Sequence, residues 1–283
     1  MTPSPPAAEQ PLAGRVALVT GASRGLGKQI ARELAAQGAA VGVVARTEEP
    51  GRVAGTIHET VDAIVTAGGL ATAVRCDVTD DEQVAAAAAS VAERLGPVDL
   101  LVNNAGVVVL KPFLECEPRH LDLAYRINVR APFVMMQAVV PGMIAAGRGH
   151  VVNLVNLASQ ARGTAVPLGY PAYTASKAAL TRMTLAIALE LGPTGVAATV
   201  LAPTGLVETE GWRIAAGDAR LPNAEPIEYV ARAVAWIAAQ PAAAVTGRFL
   251  ETQATLADAG LIPHADLSYA DLAQVDASEI GRA

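Results

Sequence analysis

Tyr173 and Lys177 stand four residues apart in the stretch Tyr173-Thr174-Ala175-Ser176-Lys177, and the sequence that continues from them reads as a helix. Positions i and i+4 share one helix face, so the Lys177 ammonium can sit beside the Tyr173 phenol. A free phenol has a pKa of about 10 and exchanges protons poorly near neutrality. A fixed neighbouring cation favours the phenolate and is expected to draw that pKa toward working pH. The same spacing also suits a half-buried aromatic beside a solvated charge, so the pair needs support from the elements that would position it.

The first such element is the apolar run Arg15 to Thr20, followed by Gly21-Ala22-Ser23-Arg24-Gly25-Leu26-Gly27 and then a helical pattern from Lys28 to Gln37 with Ile30, Leu34 and Ala35 on one side. A strand, a glycine-rich turn and a helix in this order make a pyrophosphate cradle. Glycines allow close backbone approach, and the helix start offers unpaired N–H groups at the positive end of its dipole. The second strand, Ala40 to Val44, ends in Ala45-Arg46-Thr47. An acid here would bind the ribose 2′-hydroxyl of NAD, whereas an arginine suits the 2′-phosphate of NADP. With Ala45 in the acid's place, Arg46 next to it and Arg24 inside the glycine turn, the expected cofactor is NADP(H) rather than NAD(H). A third strand, Ala71 to Cys76, stops at Asp77-Val78, which puts a carboxylate at a strand C-terminus where the adenine would lie.

With these residues in view the chain resembles the short-chain dehydrogenase/reductase family from about Leu12 to about Leu250. The resemblance is carried by Thr20-Gly21-x-x-x-Gly25-x-Gly27, Asp77-Val78, Asn103-Asn104-Ala105-Gly106, Asn128, Tyr173-x-x-x-Lys177 and the stretch Pro203 to Thr209. It implies a doubly wound parallel sheet of the Rossmann type, about seven strands with helices on both faces. It also implies hydride exchange between C4 of a nicotinamide and a carbonyl or secondary alcohol. By the same resemblance Tyr173 would be the general acid in reduction, and Lys177 would tune it and hold the nicotinamide ribose. Asn128 would anchor a water linking Lys177 to solvent. The dinucleotide would further touch Gly21, Ser23, Arg24, Gly25, Leu26 and Gly27, then Arg46, Asp77 and Val78. Asn104, Ala105 and Gly106 would follow, with Pro203, Gly205, Val207 and Thr209 on the nicotinamide side. Bottom-up, a water near Asn128 is reasonable, because Pro132 cannot donate to the carbonyl one turn upstream.

The chain departs from the family pattern in three places. The family has a serine at the end of the fifth strand, and here Gly149 to Gln160 reads Gly-His-Val-Val-Asn-Leu-Val-Asn-Leu-Ala-Ser-Gln. Counting from the strand start reaches Val155 or Asn156, where the family has paired serines. Counting back from the tyrosine reaches Ser159, 14 residues before it, which is the preferred assignment, with Asn156 as the alternative donor. The family's Pro-Gly after the sixth strand is split by Thr204, which leaves the carboxamide donors among Thr204 to Val207 open. The usual Asp-Gly-Gly ending is missing after Val245 to Leu250.

The 283 residues suit one α/β domain, with residues 1–11 a disordered lead, 12–252 the domain and 253–283 a tail. Val98 to Val102 and Val196 to Leu201 read as further buried parallel strands. Apolar residues on the Arg119–Ala145 and Ala172–Leu191 helices exceed what one sheet face needs, and the family usually buries both in a subunit interface, so a homodimer or homotetramer is expected. A net charge of −6 without a basic run argues against nucleic acid. No apolar stretch reads as long enough for a membrane span. Cys76 and Cys116 make no disulfide framework, which suits a reducing cytoplasm. The four histidines, His58, His120, His150 and His264, have no metal-ligand spacing.

Two other readings use the same residues. Gly21-x-Ser23-x-Gly25 fits the nucleophile elbow of an α/β-hydrolase, but only His264 lies late enough to complete a triad. A non-catalytic NADP(H)-binding module would use the cradle without turnover. Candidate substrate contacts, Val107, Val108, Leu110, Ala161, Val166, Leu168, Tyr170 and Trp212, are mostly apolar, with a lid expected over 211–223. They point to a hydrophobic ketone or alcohol.

Overall fold

The computed structural model describes residues 10–51, 53–157, 170–210 and 224–264. Seven strands form one sheet in the order β3-β2-β1-β4-β5-β6-β7, and every pairing is parallel. They are β1 Val16–Thr20, β2 Ala40–Ala45, β3 Leu70–Arg75, β4 Leu100–Asn103, β5 Gly149–Leu154, β6 Val196–Ala202 and β7 Phe249–Glu251. Strand order reverses between β1 and β4. That is the crevice where open parallel sheets bind ligands, beyond the strand C-termini.

The helices are α1 Gly25–Ala36, α2 Ile57–Thr66, α3 Asp81–Leu95, α4 Pro118–Tyr125, α5 Ala131–Ala146 and α6 Pro171–Leu191, then α7 Ile227–Ala239, α8 Ala242–Val245 and α9 Thr252–Asp258. Because side chains alternate along a strand, β1 sends Ala17 and Val19 into one core and Val16 and Leu18 into the other. The first core packs under α1, α2, α7 and α9 through Ile30, Leu34, Ile57, Val234 and Leu256. The second packs under α3, α5 and α6 through Val84, Val91, Met135, Met143 and Leu191. Burial on both faces is why the strands read as unbroken apolar runs.

Several sequence expectations shift. Helix α1 begins at Gly25, inside the glycine turn, rather than at Lys28. Strand β7 is Phe249–Glu251, because Ala242–Val245 forms α8 instead of entering the sheet. The boundary at 252 falls at the start of α9, whose Leu256 and Ala257 are buried in the first core together with Ile262. The apolar spacing of these three residues carries the domain past that boundary. The helix from Pro118 to Ala146 is long and apolar enough, by length and composition, to cross a membrane, contrary to the expectation that no stretch was. Its Met135, Met136, Val139 and Met143 are buried against the sheet and α3, which accounts for the composition.

Candidate active site

The crevice between β1 and β4 is built by Thr20. Its hydroxyl accepts from the N–H groups of Asn104 and Ala105, each at 3.1 Å, and donates to the Val102 carbonyl. Asn104 returns the tie, its Nδ2 donating to the carbonyls of Thr20 at 2.8 Å and Gly21 at 3.2 Å. The glycine turn and the Asn103-Asn104-Ala105-Gly106 segment are thereby locked together. Gly21 has φ +66°, and a Cβ there would come within 2.9 Å of Ala105, so only glycine suits the turn. Gly27 is tighter still: a Cβ would meet Gly21 O and Asn104 Nδ2 at 2.4 Å each.

Helix α1 starts in this turn with no side-chain cap and no acid in its first turn. By contrast, Asp80 caps α3 by accepting from Glu82 and Gln83. The α1 terminus therefore has no cap of its own at its positive dipole end, and the Glu210 carboxylate stands beside Gly25. A cleft of about 310 Å³ runs alongside, lined by Gly21, Ser23, Arg24, Ala45, Arg46, Asp77, Val78 and Asn104 to Val107. Thr47, Cys76, Thr79 and Ile127 line it as well. No motif had marked these four; each is a neighbour in sequence or space of a residue that one had. Gly25, Leu26 and Gly27 lie outside that lining, with Leu26 packed on the first core.

Arg24 donates to Thr47 Oγ1 and the Gly55 carbonyl at 3.0 Å each, and its buried Nε finds no protein acceptor. Arg46 is mostly exposed and stands 3.6 Å from Asp77. Hydrogen bonds from the Thr79 N–H and hydroxyl, at 2.9 and 2.8 Å, hold the Asp77 carboxyl below the usual range, helped by Arg46. An orphaned guanidinium nitrogen on Arg24, a second, mostly exposed arginine and a helix start without a side-chain cap fit a phosphorylated dinucleotide.

Outside the cleft lining, α6 buries Lys177, whose Nζ lies near Gly106, and presents Tyr173 one turn earlier. Lys177 Nζ donates to the Leu154 carbonyl at 2.8 Å, at the end of β5. Burial lowers its pKa to about 8. Tyr173 keeps some exposed surface, but its phenol is enclosed. Burial raises its pKa to about 12, opposed by a hydrogen bond with Asn156. The sequence expectation of a cation-lowered phenol is therefore not met in the free protein: the ammonium is drawn to Leu154, and desolvation dominates. Asn156 lies beside the phenol. Ser159, Ala161, Val166, Leu168, Trp212 and the expected lid over 211–223 lie outside the described residues.

Asn128 is fully buried. Its Oδ1 accepts from Val107 N at 2.8 Å, and its Nδ2 donates to Val107 O and Ser176 Oγ, each at 2.9 Å. Ser176 passes the tie on, donating to the Tyr173 carbonyl at 2.7 Å. Sequence reasoning missed Ser176, although its place within the Tyr-x-x-x-Lys motif was a signal. Around Asn128 the backbone widens into a π-helical turn, Arg126–Arg130. Pro132 cannot donate to the Asn128 carbonyl, which accounts for the wider turn there. The loop after β6 brings Thr209 against Gly25, but none of Pro203, Gly205, Val207 and Thr209 joins the cleft lining. Among the described residues no group of three or more His, Cys, Asp or Glu could hold a metal.

A parallel sheet with a dinucleotide cradle at its switch point, facing a Tyr–Lys pair, defines a nucleotide-dependent oxidoreductase site. The profile of the short chain dehydrogenase family matches residues 15–216. The L-xylulose reductase of Mesocricetus auratus is 38% identical over 200 residues, covering 71% of this chain and 75% of that protein. A putative dehydrogenase from Xanthomonas campestris superposes with a TM-score of 0.81 at 33% identity, covering 88% of this chain and 91% of the other. A metagenomic short-chain oxidoreductase solved with NADP gives 0.70 at 33% identity, with coverage of 86% and 97%. The chain belongs to the short-chain dehydrogenase/reductase family and is an NAD(P)-dependent oxidoreductase.

Proposed function

We propose that the protein uses NADP(H) to interconvert a ketone or aldehyde with a secondary alcohol on a hydrophobic small molecule. The observation that carries this is the Tyr173–Lys177 pair facing a cradle that holds Arg24 and Arg46 and lacks an acid at Ala45. When bound, the dinucleotide supplies or accepts a hydride at its nicotinamide ring. Tyr173, protonated at neutral pH with a pKa near 12, gives its proton to the substrate oxygen in reduction and recovers it in oxidation. Lys177, near 8, is protonated often enough to stabilise the phenolate left behind and to hold a ribose hydroxyl. Asn156 lies beside the phenol, where its amide favours the ionised form. The Asn128 side chain is committed to Val107 and Ser176, so it pins the π turn behind Lys177, and a relay water on it would use its main chain.

Val107, Val108 and Leu110 at the mouth, with the buried Tyr170 at the start of α6, support an apolar substrate. The kinship with an enzyme named for L-xylulose supports a second reading, a polyol or sugar ketone. Exposed Leu121, Leu123 and Tyr125 on α4, Phe133 and Ile144 on α5 and Leu189 on α6 support a homodimer or homotetramer formed across these helices.

Nicotinamide absorbance, followed with a panel of aromatic ketones, acyl ketones and pentuloses, tests both the reaction and the substrate class. One charge-assisted bond is worth about 1.5–3 kcal/mol, so Arg46 on a 2′-phosphate implies a roughly ten- to hundredfold preference for NADPH over NADH. Equal or tighter NADH binding at low salt would refute the NADP assignment, and turnover of pentuloses alone would refute the apolar one.

A further inference from the structure

The loop after β6 is held by a buried carboxylate to which no motif pointed. Glu225 lies just before α7, is 3% exposed, and belongs to none of the family stretches. Its Oε2 accepts from the Gly205 N–H at 2.8 Å, and its Oε1 accepts from the Thr252 hydroxyl at the start of α9. Its own N–H donates to the Leu206 carbonyl at 2.8 Å. Thr252 in turn accepts from the Thr204 N–H at 3.0 Å, and the Thr204 hydroxyl accepts from Gln253 N at 3.0 Å. Thr204 and Thr252 are likewise buried. Three separate parts of the chain thus meet on one ionisable group, at the point where Thr204 splits the family's Pro-Gly.

The ties also sort the loop's donors. Pro203 has no N–H; those of Thr204 and Gly205 are consumed by Thr252 and Glu225. Among the described residues, the Leu206 and Val207 N–H groups are the pair in this turn without a protein acceptor. A buried carboxylate stays only where donors compensate its lost hydration, and Glu225 has them only while the turn keeps this shape. We propose that Glu225 is a positioning residue for the nicotinamide-facing turn, holding Thr204–Val207 so that Leu206 and Val207 present their N–H groups to the nicotinamide carboxamide. This rests on the dinucleotide reading of the cleft and adds a residue to it.

The test compares the whole cofactor with its adenine half. In Glu225→Ala, NADPH affinity measured by titration falls about tenfold, as expected for loss of a charge-assisted tie. Affinity for adenosine 2′,5′-bisphosphate, which lacks the nicotinamide, stays within about twofold, and Glu225→Gln, which keeps one acceptor, recovers most of the NADPH loss. Thr252→Val, isosteric and without the hydroxyl, gives the same selective loss on a smaller scale, and decides the matter if Glu225→Ala does not fold. Unchanged NADPH affinity in these variants overturns the proposal, as does equal weakening of both ligands. If the unmodified chain prefers NADH, the NADP assignment alone fails, and NADH against ADP-ribose gives the same comparison. If it binds neither dinucleotide, both readings fall.

Discussion

Tyr173→Phe keeps the ring and its packing and removes only the hydroxyl, so cofactor affinity should hold while turnover is lost by about three orders of magnitude or more, the scale of a missing general acid. Near-normal rates on a responsive substrate would end the proton-transfer assignment. The donor beside the phenol is a matter of two counts along the chain. Asn156 lies beside the Tyr173 phenol, and Ser159 lies outside the described residues, so kinetics ranks the two. Asn156→Ala should lower kcat roughly a hundredfold, as for one lost preorganised donor, and Ser159→Ala much less. The opposite ranking in steady-state kinetics would restore the serine. The tyrosine count favours Ser159 and the strand-start count Asn156, because sequence separation cannot say on which side of an insertion the spatial place is kept.

Helix α1 and strand β1 approach so closely that Gly27 cannot carry a side chain. Its Cβ would sit 2.4 Å from both the Gly21 carbonyl and the Asn104 amide. Gly27→Ala should therefore cost about 1–3 kcal/mol of stability through overpacking and weaken dinucleotide binding by spreading the turn. A melting temperature and NADPH affinity both equal to wild type would contradict this. The glycine motif was legible because backbone approach has a composition signature. The start of α1 at Gly25 was not, because glycine is a poor helix former and the tertiary clamp through Thr20 and Asn104 overrides that preference. The π turn at Arg126–Arg130 was half legible: Pro132 announced a lost hydrogen bond, but not that the helix would continue by widening.

Below the opposite, N-terminal edge of the sheet, Arg15, Asp99 and His150 fasten β1, the approach to β4 and β5 to the end of α7. Arg15 Nε donates to Asp99 at 2.8 Å, and a further guanidinium nitrogen lies 3.3 Å from His150 Nδ1. His150 Nε2 faces the Gln240 carbonyl at 2.9 Å. Burial, then the Arg15 charge, lowers the His150 pKa to about 4. The folded state thus keeps His150 neutral while the unfolded chain, with a pKa near 6.5, takes up a proton. Stability present above about pH 6.5 is lost as pH falls toward 4, by up to about 3 kcal/mol at the acid end. Urea unfolding at pH 7, 5.5 and 4 should show this decline, and His150→Gln should flatten it. Identical pH slopes in the two proteins would remove His150 as the cause.

Taken alone, the sequence determined the class of fold, the glycine turn at Gly21 to Gly27 and the shared helix of Tyr173 and Lys177, because each depends on contacts within a few residues or on a period of two or 3.6. Tertiary structure decided what depends on distant segments meeting. It turned Lys177 toward Leu154, so that burial rather than a neighbouring charge governs Tyr173. It brought Ser176 under Asn128, and it folded residues 253 to 262 into the core. Above all it joined Glu225 to Gly205 and Thr252 across 20 and 27 positions. A buried carboxylate looks like any surface glutamate in one dimension; only the packed chain shows which donors replace its water.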